Sequence, residues 1–315
     1  MSKPVLVVAG PTASGKSGLA LAIAEAVAGV VINADSMQVY SELAVLTARP
    51  GAAALARAPH RLYGILHAHE PCSAGRWLKL AQGAIAEAHA TGRLPIVTGG
   101  SGLYIQALVE GIVALPEVPL EIRESAHALF EKLGAEGFHA ALAVRDPLMG
   151  GRLRPRDRQR LIRAWEVLET TGESLAALQE EHSEGPPAEL TFAGIVLEPP
   201  RGALYAAIEG RLDAMIAAGA VAEVASLLAL GLDPQLPAMK AVGVPELALY
   251  LRGELSLEEA VRRAKQATRR LAKRQLTWFR HHRSGREVLV VKEAPSAQFS
   301  ESFKERIFNF IRQSC

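Results

Sequence analysis

The sequence predicts an α/β fold, a parallel sheet flanked by helices, interrupted by an all-helical insertion domain. Three observations carry that prediction. The octet Gly10, Pro11, Thr12, Ala13, Ser14, Gly15, Lys16, Ser17 fits the phosphate-loop pattern G-x-x-x-x-G-K-[ST]. The first hundred residues alternate short apolar runs with helical patterns. Near residue 112 that rhythm stops, and only helical patterns follow until a new apolar run begins at Thr191.

Taken in order, Val5–Val8 is a buried strand and Leu19–Val27 a helix, so the octet lies between strand and helix N-terminus, where backbone N–H groups gather around anions. This makes the core P-loop NTPase-like. Val30–Ile32 is a second strand, Arg61–Leu66 a third and Leu94–Thr98 a fourth. The intervening Ala74–Ala90 helix sets Trp77, Leu78, Ala81 and Ile85 on one face. Thr191–Leu197 and Glu287–Val291 complete the strands, and Phe303–Ile311 is a final helix. The predicted organisation is a discontinuous core, residues 1–113 and 191–315, with a helical insertion at 114–190.

Composition narrows the class. The 315 residues are 49% hydrophobic with net charge +2, a globular chain rather than a disordered one. Cys72 and Cys315 form no C-x-x-C or metal-ligand spacing, which suits a reducing cytoplasm. No cleavable leader precedes the first strand, and no apolar run reaches the roughly 20 residues that span a bilayer.

Candidate chemistry gathers at strand ends. In the loop, glycines let N–H groups point inward, Lys16 adds positive charge, and the Ser17 hydroxyl can ligate Mg²⁺. Asp35 follows the second strand, which places a carboxylate opposite the phosphates as general base or hydrogen-bond anchor. The competing reading makes it a helix N-cap, with Gln38 completing a capping box. Ser101, in Gly99-Gly100-Ser101-Gly102, brings a hydroxyl to the same crevice, or merely caps a turn.

Charge is segregated. Arg152–Arg163 holds six arginines in twelve residues, with Leu161, Trp165 and Leu168 facing one way and Gln159, Arg160 and Arg163 another. Arg262–Arg286 holds ten Lys or Arg and no acid, and Leu257, Val261, Ala264, Thr268 and Leu271 form its inward face. Such stretches in a nearly neutral chain are the footprint of polyanion binding. The alternative, a solvated face of ion pairs, needs acids at i,i+4 spacing, which the second stretch does not contain.

These segments together resemble the bacterial tRNA dimethylallyltransferase (isopentenyl transferase) family. The octet, Asp35–Tyr40 with Thr47-Ala48-Arg49-Pro50, Pro59–Leu62, Gly99–Tyr104, Gln159–Arg163 and Ala272–Phe279 follow in that family's order. The resemblance implies transfer of a dimethylallyl group from dimethylallyl diphosphate to N6 of the adenosine beside the anticodon (position 37), releasing diphosphate. Catalytic roles then fall to Asp35 as base, Ser101 near the donor–acceptor junction and Lys16 at the leaving group. Gly10 to Ser17 and Arg211 would hold the diphosphate, with Mg²⁺ on Ser17 as cofactor. Asp35, Ser36, Met37, Gln38 and Ser101 would touch the flipped base, while Arg123, Gln159, Arg160, Leu161, Ile162, Arg163 and Lys240 grip the anticodon arm of tRNA. A cytoplasmic monomer with no membrane partner is expected. The chain departs from the family pattern at Ala44, Leu46 and Arg49, at Ser101 where Thr is usual, and at Val244-Pro245, where a direct tRNA contact is not expected to carry over.

Three alternatives remain at this point: a small-molecule P-loop kinase, an isopentenyl transferase acting on free adenine nucleotides, and a nucleic-acid-binding P-loop NTPase without transferase activity. The arginine-rich insertion argues against the first two. The third lacks a second strand ending in a Mg²⁺-binding Asp.

Overall fold

The computed structural model describes every residue except 1, 114, 116, 182–184, 283–286 and 299. Arg283 and Arg286 of the second basic stretch, and the insertion boundary at 114, therefore lie outside the described residues.

Six strands form one parallel sheet: β1 (Lys3–Ala9), β2 (Val30–Asn33), β3 (His60–Arg61), β4 (Pro95–Gly99), β5 (Leu190–Leu197) and β6 (Glu287–Val291). Their spatial order is β3-β2-β4-β1-β5-β6, so β1 lies inside the sheet between β4 and β5. Alternation along β1 sends Val5, Val7 and Ala9 into one core and Leu6 and Val8 into the other. The first core collects Trp77 and Tyr104, stacked at 4.6 Å between ring centroids. The second is closed by the Lys16–Ala26 helix and by Phe303, Ile307 and Ile311 of the terminal Glu301–Ser314 helix.

The third strand is shorter than its apolar pattern suggests. Leu62 adopts φ 67°, a left-handed conformation no strand can contain, and the chain turns away after Arg61. It returns for a single bridge between Tyr40 and Leu66.

The chain divides into two compact units, Met1–Glu110 with Pro186–Cys315, and Gly111–Gly185. The second is helical throughout its secondary structure: Leu120–Arg145, Pro147–Arg152, Arg158–Thr171 and Leu175–Glu181. Gly134, at φ 67°, kinks the first of these. The core of this unit centres on Phe138, Leu142, Leu161 and Trp165, with Phe138 5.2 Å from Trp165 between centroids. Asp146 starts the second helix by accepting from Met149 N at 3.0 Å. Among the described residues no helix is long and apolar enough to cross a membrane.

Candidate active site

The carboxyl ends of β1, β2 and β4 bring together the loop 10–17, Asp35 and the turn 99–101. The approach is close enough to dictate sequence. A Cβ on Gly99 would lie 2.0 Å from the Ala34 carbonyl oxygen, so only glycine fits there. The turn is then fixed by Ser101 N donating to Ala34 O at 3.1 Å.

Asp35 does not cap a helix. No helix follows it, and the Gln38 amide donates to the carbonyls of Thr47 (2.8 Å) and Ala48 (3.2 Å), not back toward Asp35. The capping-box reading is thereby corrected. Asp35 is held instead by Asn33, whose Oδ1 accepts from Asp35 N at 2.8 Å and whose amide donates to Asp35 O at 3.0 Å. Its carboxylate accepts from Met37 N at 2.9 Å through Oδ1. The Ser101 hydroxyl, expected at the junction of donor and acceptor, is engaged with Ser36: it accepts from Ser36 N at 2.9 Å and donates to Ser36 Oγ at 3.1 Å. It thus sets the course of the Asp35–Gln38 segment.

Loop cations converge on Asp35. Lys16 is buried and donates to the Pro11 carbonyl at 3.2 Å. Burial strips its water and pulls its pKa down to about 8; the Asp35 charge opposes that drop and Arg211 adds to it. Arg211, from the Arg201–Ala217 helix, donates to the Thr12 hydroxyl. Burial lowers its pKa as well, again opposed by Asp35. A cleft opens beside these groups. Its lining combines Thr12, Asp35, Thr47, Arg211 and Thr268 with Leu46, Ile208, Leu212, Met215, Val242 and Leu271.

Several residues hold this site in ways the sequence did not announce, Glu223 and Gln298 without any motif and Gln275 inside the motif Ala272–Phe279. Glu223 accepts from three successive amides, Ala44 N (2.7 Å), Val45 N (2.7 Å) and Leu46 N (2.8 Å), and so fixes one wall of the cleft. Gln275 accepts from Thr12 N at 2.8 Å and donates to Gly100 O at 2.9 Å, tying the loop to the 99–101 turn. Gln298, fully buried, donates to Ser14 O at 2.8 Å.

The basic stretches are partly neutralised, contrary to expectation for the second. Its acids come from outside it. Glu259 pairs with Arg262 and Arg263 (2.7 Å each), Asp213 with Lys265 (2.7 Å), Glu209 with Arg269 (2.7 Å) and Glu198 with Arg280 (3.3 Å). Exposed Arg270, Lys273 and Arg274 have no acidic partner among the described residues. In the helical unit, Arg152 pairs with Glu180, Arg158 with Glu131, and Arg163 with Glu166 at 3.3 Å. Exposed Arg154, Arg156 and Arg160 have no acidic partner among the described residues. Gln159 is exposed beside Arg160, and Arg123 is half-buried. Leu161 and Ile162 are 0% and 4% exposed, so the contact expected of them is corrected: they are core residues that back the helix face. Lys240 is exposed and donates to Gln235 at 2.8 Å, while Val244 is buried and offers no surface.

Comparison with known proteins identifies the family. Residues 38–282 match the family model described as IPP transferase. The tRNA dimethylallyltransferase of Rhodospirillum centenum is 55% identical over 280 residues, 89% of each chain. That of Rhodospirillum rubrum is 53% identical over 310 residues, 98% of this chain and 94% of the relative. The crystal structure of the full-length tRNA isopentenylpyrophosphate transferase from Bacillus halodurans superposes with a TM-score of 0.70 at 32% identity, covering 99% of this chain and 97% of that one. A eukaryotic dimethylallyltransferase acting on tRNA shares the fold at a TM-score of 0.82, with 24% identity, over 100% of this chain and 81% of that one. This chain belongs to the IPP transferase family, grouped within it with the bacterial tRNA dimethylallyltransferases.

Proposed function

We propose that this enzyme transfers a dimethylallyl group from dimethylallyl diphosphate to N6 of the adenosine beside the anticodon, position 37, of tRNA. The observation that carries this reading is the cleft lined both by Asp35, Arg211 and Thr12 and by the apolar Leu212, Met215 and Ile208. A nucleoside triphosphate needs polar groups along its length. A prenyl diphosphate needs positive charge at one end and an alkyl surface at the other.

The loop amides, Lys16 and Arg211 bind the diphosphate and hold positive charge where negative charge grows as the carbon–oxygen bond breaks. N6 of the adenine forms the new bond to C1 of the dimethylallyl group. The proton that N6 loses passes to the Asp35 carboxylate, whose Oδ2 has no hydrogen-bond partner among the described residues. Diphosphate leaves with the bonding electron pair. Asp35 to Gln38, set by Asn33 and Ser101, orient the adenine after it is splayed from its loop.

A magnesium ion would find one protein ligand at this loop. Ser17, exposed on the first turn of the Lys16–Ala26 helix, supplies a hydroxyl, and no trio of His, Cys, Asp or Glu able to hold a metal occurs among the described residues. Bound there, the ion would neutralise charge on the leaving diphosphate. Arg123, Gln159, Arg160 and Arg163 of the helical unit, with Lys240, Arg270, Lys273 and Arg274 of the core unit, serve the anticodon arm through phosphates and splayed bases. A monomer acting in the cytoplasm completes the proposal.

The test is release of diphosphate. It should appear only when dimethylallyl diphosphate and unmodified tRNA are both present. Release of orthophosphate from ATP in the absence of tRNA would assign the loop to a kinase instead.

A further inference from the structure

We propose that Gln298 is a positioning residue for the prenyl diphosphate, acting through the direction of a single loop amide; this rests on the loop holding a diphosphate. Gln298 lies between the short Pro295–Ala297 turn of helix and the terminal Glu301–Ser314 helix, beyond the region 38–282 that matches the family model. It is 0% exposed. Its Nε2 donates to the Ser14 carbonyl at 2.8 Å and to the Glu293 carbonyl at 3.4 Å.

The Ser14–Gly15 peptide is trans, so the Ser14 C=O and the Gly15 N–H point in opposite directions. Anchoring the carbonyl outward on Gln298 therefore turns the Gly15 N–H into the loop. That N–H has no acceptor among the described residues and stands at the N-cap of an 11-residue helix, where an anion is favoured. Gly15 has φ +90°, and a Cβ there would lie 2.3 Å from Gln298 Oε1, so the carboxamide occupies the space that a side chain would take. The Ser14 hydroxyl beside it is buried without a partner, a second polar atom left for the ligand. The chemistry of the position is specific. A carboxamide supplies the donor without charge, and a carboxylate would face a carbonyl with no proton to give.

The experiment compares the full chain with Gln298→Met, Gln298→Glu and Lys16→Ala, measuring binding of inorganic diphosphate with magnesium and of unmodified tRNA. Lys16→Ala tests the diphosphate reading itself; unchanged affinity there removes that reading. With Lys16→Ala weakened, both Gln298 variants should bind diphosphate about tenfold more weakly. The KM for dimethylallyl diphosphate should rise as well, while tRNA affinity stays unchanged. Diphosphate affinity equal to that of the parent in either folded Gln298 variant overturns the proposal. So does a matching loss of tRNA affinity, which marks a merely structural residue. The parent protein gives an independent reading by nuclear magnetic resonance. Inorganic diphosphate should slow hydrogen exchange at the Gly15 amide, and unchanged exchange there contradicts the assignment.

Discussion

The two regions rich in positive charge differ in how that charge is kept. At the loop, Lys16 is 9% exposed, Arg211 reaches Thr12, and both sense the field of Asp35. On the helical unit, Arg154, Arg156 and Arg160 stand in water with no acidic partner among the described residues. Buried charge acts at short range in a low dielectric and suits one reacting group. Exposed charge is screened, adds little singly, and suits a long polyanion met at many points. On the function proposed above, the first region serves the chemistry and the second the grip on tRNA.

The largest expected effect breaks the comparison at its chemical end. Asp35→Ala should lower kcat about 100- to 10,000-fold, with tRNA affinity unchanged in a filter-binding assay. Unchanged turnover removes the base. Lys16→Ala should come next, weakening dimethylallyl diphosphate binding by about tenfold to a hundredfold in calorimetric titration.

A pH series sharpens the same point. The Lys16 pKa, pulled down to about 8 from 10.5, means that the empty enzyme loses this charge as pH rises through 8. Donor KM should therefore climb above pH 8. Between about 8 and 10.5 only the unfolded chain holds the proton, so the contribution of this group to stability rises with pH across the same window. In Lys16→Met both trends should vanish.

The smallest effect concerns the exposed region. Arg160→Ala with Arg163→Ala should weaken tRNA binding several-fold. The slope of log affinity against log salt should flatten by about 1.4, at roughly 0.7 for each phosphate no longer neutralised. Leu161→Ala separates the face from its support. It should lower unfolding free energy by about 2 to 5 kcal/mol in chemical denaturation, yet leave the salt slope intact.

The sheet was largely legible because buried parallel strands are near-continuous apolar runs, as in Val5–Val8 and Val30–Ile32. The third strand was overread because nothing in Leu62 announces a left-handed backbone. Loop 10–17 and Asp35 were legible because local spacing creates them. Gln298 and Glu223 were not, because each acts across 175 or more residues on backbone atoms, and a backbone amide or carbonyl leaves no trace in sequence; Gln275 lay inside the motif Ala272–Phe279, but its partners Thr12 and Gly100 did not show there. The neutralising role of Asp213 and Glu209 was hidden for the same reason: a partner on a neighbouring helix is invisible to an i,i+4 search.

One measurement bears most directly on the division between buried chemistry and exposed grip. The enzyme is incubated with dimethylallyl diphosphate labelled in its alkyl group, together with unmodified tRNA and, in parallel, with AMP. Label is expected in tRNA alone, recovered on the adenosine beside the anticodon after nuclease digestion. Label on AMP at a comparable rate would contradict this, since the exposed arginines would then serve no part of the reaction.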